Sequence, residues 1–213
     1  MSLLSTDQAP DGRRLQNKAA KLAKIERAAR RLFAKQGFHD TTTRELAAAA
    51  GIGTGTLFLY FPGKKDLLIH LFKQDIAAVE EVIFAGLDRE LPLRSALLHV
   101  FDGLYGCYER DLPLARVFIQ ELLFLDAGHR RDVGGFTAEF LQRLVGLIEA
   151  ARARGELGGA VDAAQLAYAA FGLYCFTLIN WLGGLLPSRD AARLQLRASL
   201  VLLLSGHLAR GPR

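Results

Sequence analysis

Thr42-Thr43-Arg44-Glu45-Leu46-Ala47-Ala48-Ala49-Ala50-Gly51-Ile52-Gly53-Thr54-Gly55-Thr56-Leu57-Phe58-Leu59-Tyr60-Phe61-Pro62-Gly63 is the stretch that decides the fold. Thr42 and Glu45 have the S/T-x-x-E spacing of a capping box, in which each side chain satisfies a backbone N–H that a helix start leaves free. A short alanine-rich helix follows. Gly51 supplies its stop, because glycine adopts the left-handed conformation of a helix end at little cost. A second short helix opens after Gly53 and is closed by Pro62, which has no N–H to donate. Two short helices joined by a glycine-containing turn form a helix-turn-helix.

Outward from this stretch the apolar spacing stays helical. Upstream, Leu22, Ile25, Ala29, Leu32 and Phe33 recur every three or four residues, which predicts a helix over about 18–36, ended by Gly37. Lys18, Lys21, Arg27, Arg31 and Lys35 occupy its other faces. Residues 1–16 show no periodicity and are expected to form a flexible arm. Downstream, Leu68, Phe72, Ile76, Val79, Ile83 and Leu87 share one stripe of a long helix opening at Lys64. Further helices are predicted near 93–110, 113–125, 131–154, 162–186 and 189–208, with Gly134-Gly135 a candidate break in the third of these. No strand pattern and no internal repeat occurs. The expected fold is all-α: an arm over 1–16, a three-helix helix-turn-helix domain over 17–63, and a C-terminal helical domain over 64–213 for ligand binding and dimerisation.

Composition agrees with a packed protein. The chain has 213 residues, 51% of them hydrophobic and 23% charged, which excludes a disordered chain. Cys107 and Cys175 lie far apart in apolar stretches. They read as buried thiols in a reducing, cytoplasmic compartment rather than as a disulfide framework. Residues 1–16 lack the apolar core of a secretory signal. The net charge of +5 is unevenly placed: residues 1–65 carry +7 and residues 66–213 carry −2. Only Lys73, of seven lysines, lies beyond residue 65. A basic module of this size suits a polyanion, nucleic acid or an anionic membrane surface, although a solvated charged face gives the same count.

The motif favours nucleic acid. The second helix of a helix-turn-helix enters the major groove with its first residues at base edges, and here those are Thr54, Gly55 and Thr56. Threonine hydroxyls can donate or accept, and the methyl can touch thymine. Arg44, one turn into the preceding helix, can fork onto guanine or a phosphate. Thr42 and Thr43 at a helix start, Tyr60 with its hydroxyl and Lys64 at the start of the long helix are candidates for phosphate contacts, which fix register without reading sequence.

These residues carry a resemblance. Gly37-Phe38, Thr42-Thr43-Arg44-Glu45-Leu46-Ala47, Ala50-Gly51-Ile52 and the run from Gly55-Thr56-Leu57-Phe58 through Tyr60-Phe61-Pro62-Gly63-Lys64-Lys65-Asp66-Leu67 resemble the DNA-binding domain of TetR-family transcriptional regulators, over about residues 18–67. The resemblance implies a homodimeric regulator, more often a repressor than an activator, whose C-terminal domain dimerises and binds a small effector. By position it assigns base contacts to Arg44 and the start of the third helix, and phosphate contacts to Thr42, Thr43, Tyr60 and Lys64. The sequence departs from the family pattern at Gly53, where Ser or another capping residue is frequent, at Thr54, where Lys is common, and at Phe58, which replaces a frequent Tyr.

Gly51-x-Gly53-x-Gly55 is not a nucleotide-binding loop, since no strand precedes it. Residues 163–188 contain no charge and are long enough to span a bilayer. The alternative function is thus a basic peripheral or membrane-anchored protein. Against a span stand Gln165, Asn180 and Pro187, and the favoured reading pairs this helix and the last one with their copies in a four-helix homodimer interface, with no membrane. The five histidines show no ligand spacing, so neither metal nor cofactor is expected, and nothing points to catalysis. A hydrophobic effector is expected to be held by Phe101, Tyr105, Phe118, Phe140, Tyr174 and Trp181, with His99, Asn180 and Glu121 as polar handles. The expected partners are double-stranded DNA, a small hydrophobic effector and a second copy of the chain.

Overall fold

The structure is a computed structural model that describes residues 10–158 and 161–207. Among these residues the chain forms α1 (Pro10–Asp40), α2 (Thr43–Ala50), α3 (Thr54–Phe58), α4 (Lys64–Ala85), α5 (Leu93–Glu109), α6 (Leu112–Leu123), α7 (Ala127–Ala153), α8 (Ala163–Leu182) and α9 (Arg189–Ser205), with no sheet. The all-α expectation holds. Two compact units are present, the first ending at Leu71 and the second starting at Phe72. α4 therefore contributes its opening turns to the first unit and its remainder to the second.

α1 starts earlier than its apolar stripe. Residues 1–9 of the expected arm lie outside the described residues, whereas residues 10–16 are helical. Proline is favoured in the first turn, where its missing N–H has no intrahelical partner, and Arg14, Leu15 and Gln16 have good helix propensity. The helix breaks at Gly37, whose φ of 81° and ψ of 167° only glycine adopts readily. The buried Thr41 then donates its hydroxyl to the Gly37 carbonyl oxygen at 2.7 Å, closing the turn into α2.

The capping box of α2 forms as predicted, between Thr42 and Glu45. At its other end Gly51 is left-handed (φ 70°, ψ 35°). Its N–H donates to Ala48 O at 3.1 Å, and that of Ile52 to Ala47 O at 3.0 Å, the paired bonds of a Schellman stop. α3 is shorter than the predicted 54–61. Gly53 offers no side-chain cap, and the chain leaves the helix in a turn in which Tyr60 and Phe61 both donate to Leu57 O. The first unit closes over a core of Ile25, Ala29, Phe33, Leu46, Leu57, Phe61 and Leu68, all buried. Leu32 and Ile52 are only half-buried.

In the second unit the helix starts are capped by side chains that the sequence supplies at the right places: Asp111, Asp126, Asp162 and Ser188. Pro92 cannot cap α5, and Glu156 does so from elsewhere in the chain, accepting from Leu93 N at 2.7 Å. Arg189 joins α9 to α5 by donating to Asp102 and Glu109. The break considered at Gly134-Gly135 does not occur, because α7 runs unbroken through both. Two glycines cost a helix about 1 kcal/mol each, and the buried positions Phe140, Leu144 and Ile148 further along anchor it.

α8 is long and apolar enough to cross a membrane. It is nevertheless a packed helix of this unit, in contact with α5, α6, α7 and α9. Leu166, Ala170, Tyr174, Leu178 and Trp181 are buried, while Tyr168, Phe176 and Ile179 remain exposed on its other side. The membrane-anchor reading is accordingly set aside.

Candidate nucleic-acid interface and effector cavity

The first unit presents its basic and hydroxyl-bearing residues outward. Lys18, Lys21, Lys24, Arg27, Arg31 and Lys35 line exposed faces of α1. Arg44 and Gly55 are exposed, and Thr43, Thr54 and Thr56 are partly so. α2 and α3 pack on each other, which fixes the start of α3 relative to Arg44.

Two of the sequence-predicted phosphate ligands are already engaged. The Thr42 hydroxyl donates to Glu45 Oε2 at 2.8 Å and accepts the Glu45 N–H at 3.2 Å. Glu45 Oε2 also accepts the Thr42 N–H at 2.9 Å and Gln36 Nε2 at 3.3 Å. The Thr42 backbone bond, its hydroxyl and Gln36 hold the Glu45 carboxyl below the usual carboxylate range. Any anion at this helix start therefore meets first-turn N–H groups rather than a free threonine hydroxyl. Lys64 uses all three ammonium donors on backbone carbonyls: Phe38 O at 2.8 Å, His39 O at 2.7 Å and Thr41 O at 3.0 Å. The same ammonium stands 4.7 Å from the centre of the Phe38 ring. Lys64 thus fastens the turn between α1 and α2 and offers a phosphate its charge, not a spare N–H. Tyr60 makes one long bond, to Lys18 O at 3.5 Å. Gln36 was missed because its partner Glu45 lies nine residues away, across the Gly37 turn.

The second unit encloses a cavity of about 100 Å³. Its walls are Lys73, Ile76 and Glu80 of α4, Leu104 and Tyr108 of α5, and Phe118 and Leu122 of α6. α7 adds Val133, Phe136, Thr137 and Phe140, and α8 adds Phe171 and Tyr174. Of the six aromatics expected around a ligand, Phe118, Phe140 and Tyr174 line this cavity. Phe101, Tyr105 and Trp181 stand behind it as a second layer. Phe101 stacks on Tyr174 at 4.8 Å, and Tyr105 packs between Tyr174 at 5.1 Å and Trp181 at 5.8 Å. The Tyr105 hydroxyl is hydrogen-bonded to Thr177. Of the polar handles, His99 faces a separate groove with Arg94, Arg193 and Arg197, while Glu121 and Asn180 line neither space. Three further polar groups of the lining, Glu80, Tyr108 and Thr137, were hidden in sequence inside stripes that read as ordinary core.

Burial sets the electrostatics of this wall. Glu80 is pushed up to about 7 by desolvation, against the pull of Arg143 3.7 Å away, with Glu81 and Glu139 adding to the rise. Tyr108 and Tyr174 are raised by burial and stay protonated donors. The buried Tyr174 hydroxyl has that of Tyr108 as its hydrogen-bonding neighbour. Lys73, 2.7 Å from the exposed Asp132, marks the solvent side.

Comparison with known proteins bears on both sites. The family model of bacterial regulatory proteins, tetR family, matches residues 25–71. Over nearly the whole chain the fold is similar to that of a FadR of Thermus thermophilus, a TetR-family transcriptional repressor solved in complex with lauroyl-CoA. The TM-score is 0.74 and the identity 28%, covering 90% of this chain and 97% of that one. The chain belongs to the TetR family. A second similar structure is the FadR of Bacillus subtilis in complex with stearoyl-CoA, with a TM-score of 0.69 and 25% identity over 86% of this chain and 98% of that one. The fatty acid metabolism regulator protein of Bacillus subtilis (strain 168) is 26% identical over 167 residues, 78% of this chain and 86% of its own length. This TetR-family chain is a ligand-responsive transcriptional regulator with an N-terminal helix-turn-helix and a C-terminal helical domain, which accounts for its basic front and its apolar rear.

Proposed function

We propose that this regulator is a cytoplasmic homodimeric repressor that binds a palindromic operator and is released from it by a long-chain acyl-CoA. The first unit supplies the reading head: Thr54, Gly55, Thr56 and Arg44 at base edges, with Thr43 and Tyr60 holding the DNA backbone beside them, Thr42 capping the helix start that meets it and Lys64 adding its charge. Two heads in successive major grooves read half-sites about 34–36 Å apart, or a multiple of that.

The second copy docks on α8 and α9. Tyr168, Phe176 and Ile179 on α8, and Leu194, Val201 and Leu202 on α9, are large apolar side chains left exposed, which supports that reading. An isologous pair covers them with the same residues of the second copy.

The observation that carries the effector reading is the cavity walled by Phe118, Phe136, Phe140 and Phe171. It is apolar enough for an alkyl chain, and the similar FadR structures were solved with lauroyl-CoA and stearoyl-CoA. Three of its wall residues, Lys73, Ile76 and Glu80, stand on the helix that Lys64 opens. Lys73 is about 14 Å along the axis from Lys64. A ligand that shifts α4 thereby competes with DNA, with a coupling of about 1–3 kcal/mol that acts in both directions.

The test is a selection of bound fragments from random duplex DNA by the purified protein, repeated with lauroyl-CoA or stearoyl-CoA. An inverted repeat whose retention falls with acyl-CoA supports the reading. Bound fragments without two-fold symmetry, or retention indifferent to every acyl-CoA, refute it.

A further inference from the structure

A protein grips a duplex mainly through cations that release its condensed counterions. Lys64 adds charge to that grip but commits its three N–H groups to Phe38, His39 and Thr41. Other cations stand on α1. Arg14, Lys18 and Lys21 are exposed and make no ion pair among the described residues. Their spacing places them on one helix face. Lys18 precedes Leu22 by four residues and Ile25 by seven, Lys21 precedes Ile25 by four, and Arg14 precedes Lys18 by four. That face is the one α1 buries, since Ile25 and Ala29 are both 0% exposed. Lys18 and Lys21 thus continue the apolar stripe rather than occupying the other faces that periodicity alone gives them. The stripe turns basic where α1 runs past the core: Leu22 is half-buried, and every residue from Arg14 to Lys21 is exposed. Arg14 stands about 16 Å along the axis from Ile25.

Tyr60, in the turn that closes α3, shows what this basic stretch lies beside. Its hydroxyl donates to Lys18 O at 3.5 Å, so α1 runs alongside the end of the helix that enters the groove. A phosphate held by Tyr60 is therefore within a side chain's length of the Lys18 ammonium. Lys24, Arg27 and Arg31 are exposed too, but they share a different face, turned away from Ile25. We propose that Arg14, Lys18 and Lys21 form a phosphate clamp that holds the duplex backbone beside the half-site read by α3. This rests on the DNA-binding reading above and adds to it a contact on α1 that is blind to sequence.

The experiment titrates labelled duplex DNA of random sequence with the full chain at several salt concentrations. Random sequence separates the hold on the backbone from base reading. One variant carries Arg14→Gln, Lys18→Gln and Lys21→Gln together, glutamine being a good helix former. It binds about tenfold or more weakly than wild type, and its plot of log affinity against log salt is shallower by about three per bound subunit. A second variant, Lys24→Gln with Arg27→Gln and Arg31→Gln, removes the same charge from the other face. It stays within about threefold of wild type at an unchanged slope. Both variants melt like wild type, because all six residues are exposed. A first variant that binds like wild type, a loss of affinity at unchanged slope, or an equal loss in the second variant overturns the clamp and leaves base reading by α3 standing. Wild-type protein that binds neither random duplex nor any fragment selected from it overturns both.

Discussion

The Lys64 ammonium donates to the carbonyl oxygen of His39 at 2.7 Å, and so joins the start of one helix to the turn that ends another. Its remaining N–H groups go to Phe38 and Thr41. Lys64→Met should therefore lower the stability of the first unit by about 1–3 kcal/mol, since bonds from a charged donor are among the stronger ones. It should also weaken binding to operator and random DNA by similar factors. Urea unfolding followed by circular dichroism reads the first effect, and titration of both DNAs at several salt concentrations reads the second.

Arg44 is exposed on the first turn of α2. If it reads a base, Arg44→Ala costs about 1–3 kcal/mol at the operator and much less on random sequence. Equal losses on both would reassign it to the phosphate backbone.

The capping box gives a stability test with a sign. Thr42→Ala removes one partner and should cost about 1 kcal/mol. Glu45 titrates below its ordinary 4.5 in the folded chain. Its contribution is thus present above that pH and is lost as pH falls through the lowered folded value. Thermal melts of wild type and Thr42→Ala between pH 3 and 7 should converge at the acid end.

Glu80 behaves in the opposite sense. Its folded value of about 7 lies above the ordinary 4.5, so the folded chain holds the extra proton between these limits. Stability then falls as pH rises through that window, by about 3 kcal/mol at most. Glu80→Gln should flatten the stability profile between pH 5 and 8. A profile as steep as that of wild type would show that Arg143 neutralises the carboxylate in full.

Phe176, exposed on α8, belongs to the surface assigned to the second copy. Phe176→Glu places two like charges across a two-fold contact and should yield monomers by sedimentation at micromolar concentration. Operator affinity should fall with it, because half-sites then bind one head at a time.

The first unit was legible in the sequence because its signals are local. The Thr42–Glu45 box and Gly51 act within a few residues of themselves, and each appears where the spacing put it. α3 was overdrawn at its end because the turn at Leu59 and Tyr60 uses residues that a helix also accepts. The commitment of Lys64 could not be read from spacing: its acceptors lie 23 to 26 residues away and meet it only after folding. The cavity was half legible for the same reason. Phe118, Phe140 and Tyr174 were found, but an aromatic facing a cavity and one stacked behind it, such as Phe101, follow the same helical periodicity. Which helices enclose the space is a matter of tertiary packing, so the α4 wall, and the α7 wall apart from Phe140, went unseen.

The apolar stripe on α8 has a consequence for the life of the protein. If a second copy docks there as proposed, a freshly synthesised subunit displays Tyr168 and Phe176 to the cell until it meets its twin, and during that interval chaperones and proteases compete for it. Pairing follows mass action, so scarce subunits wait longest. Steady-state supply of the regulator then rises more steeply than its rate of translation, and a modest cut in synthesis thins the active population out of proportion.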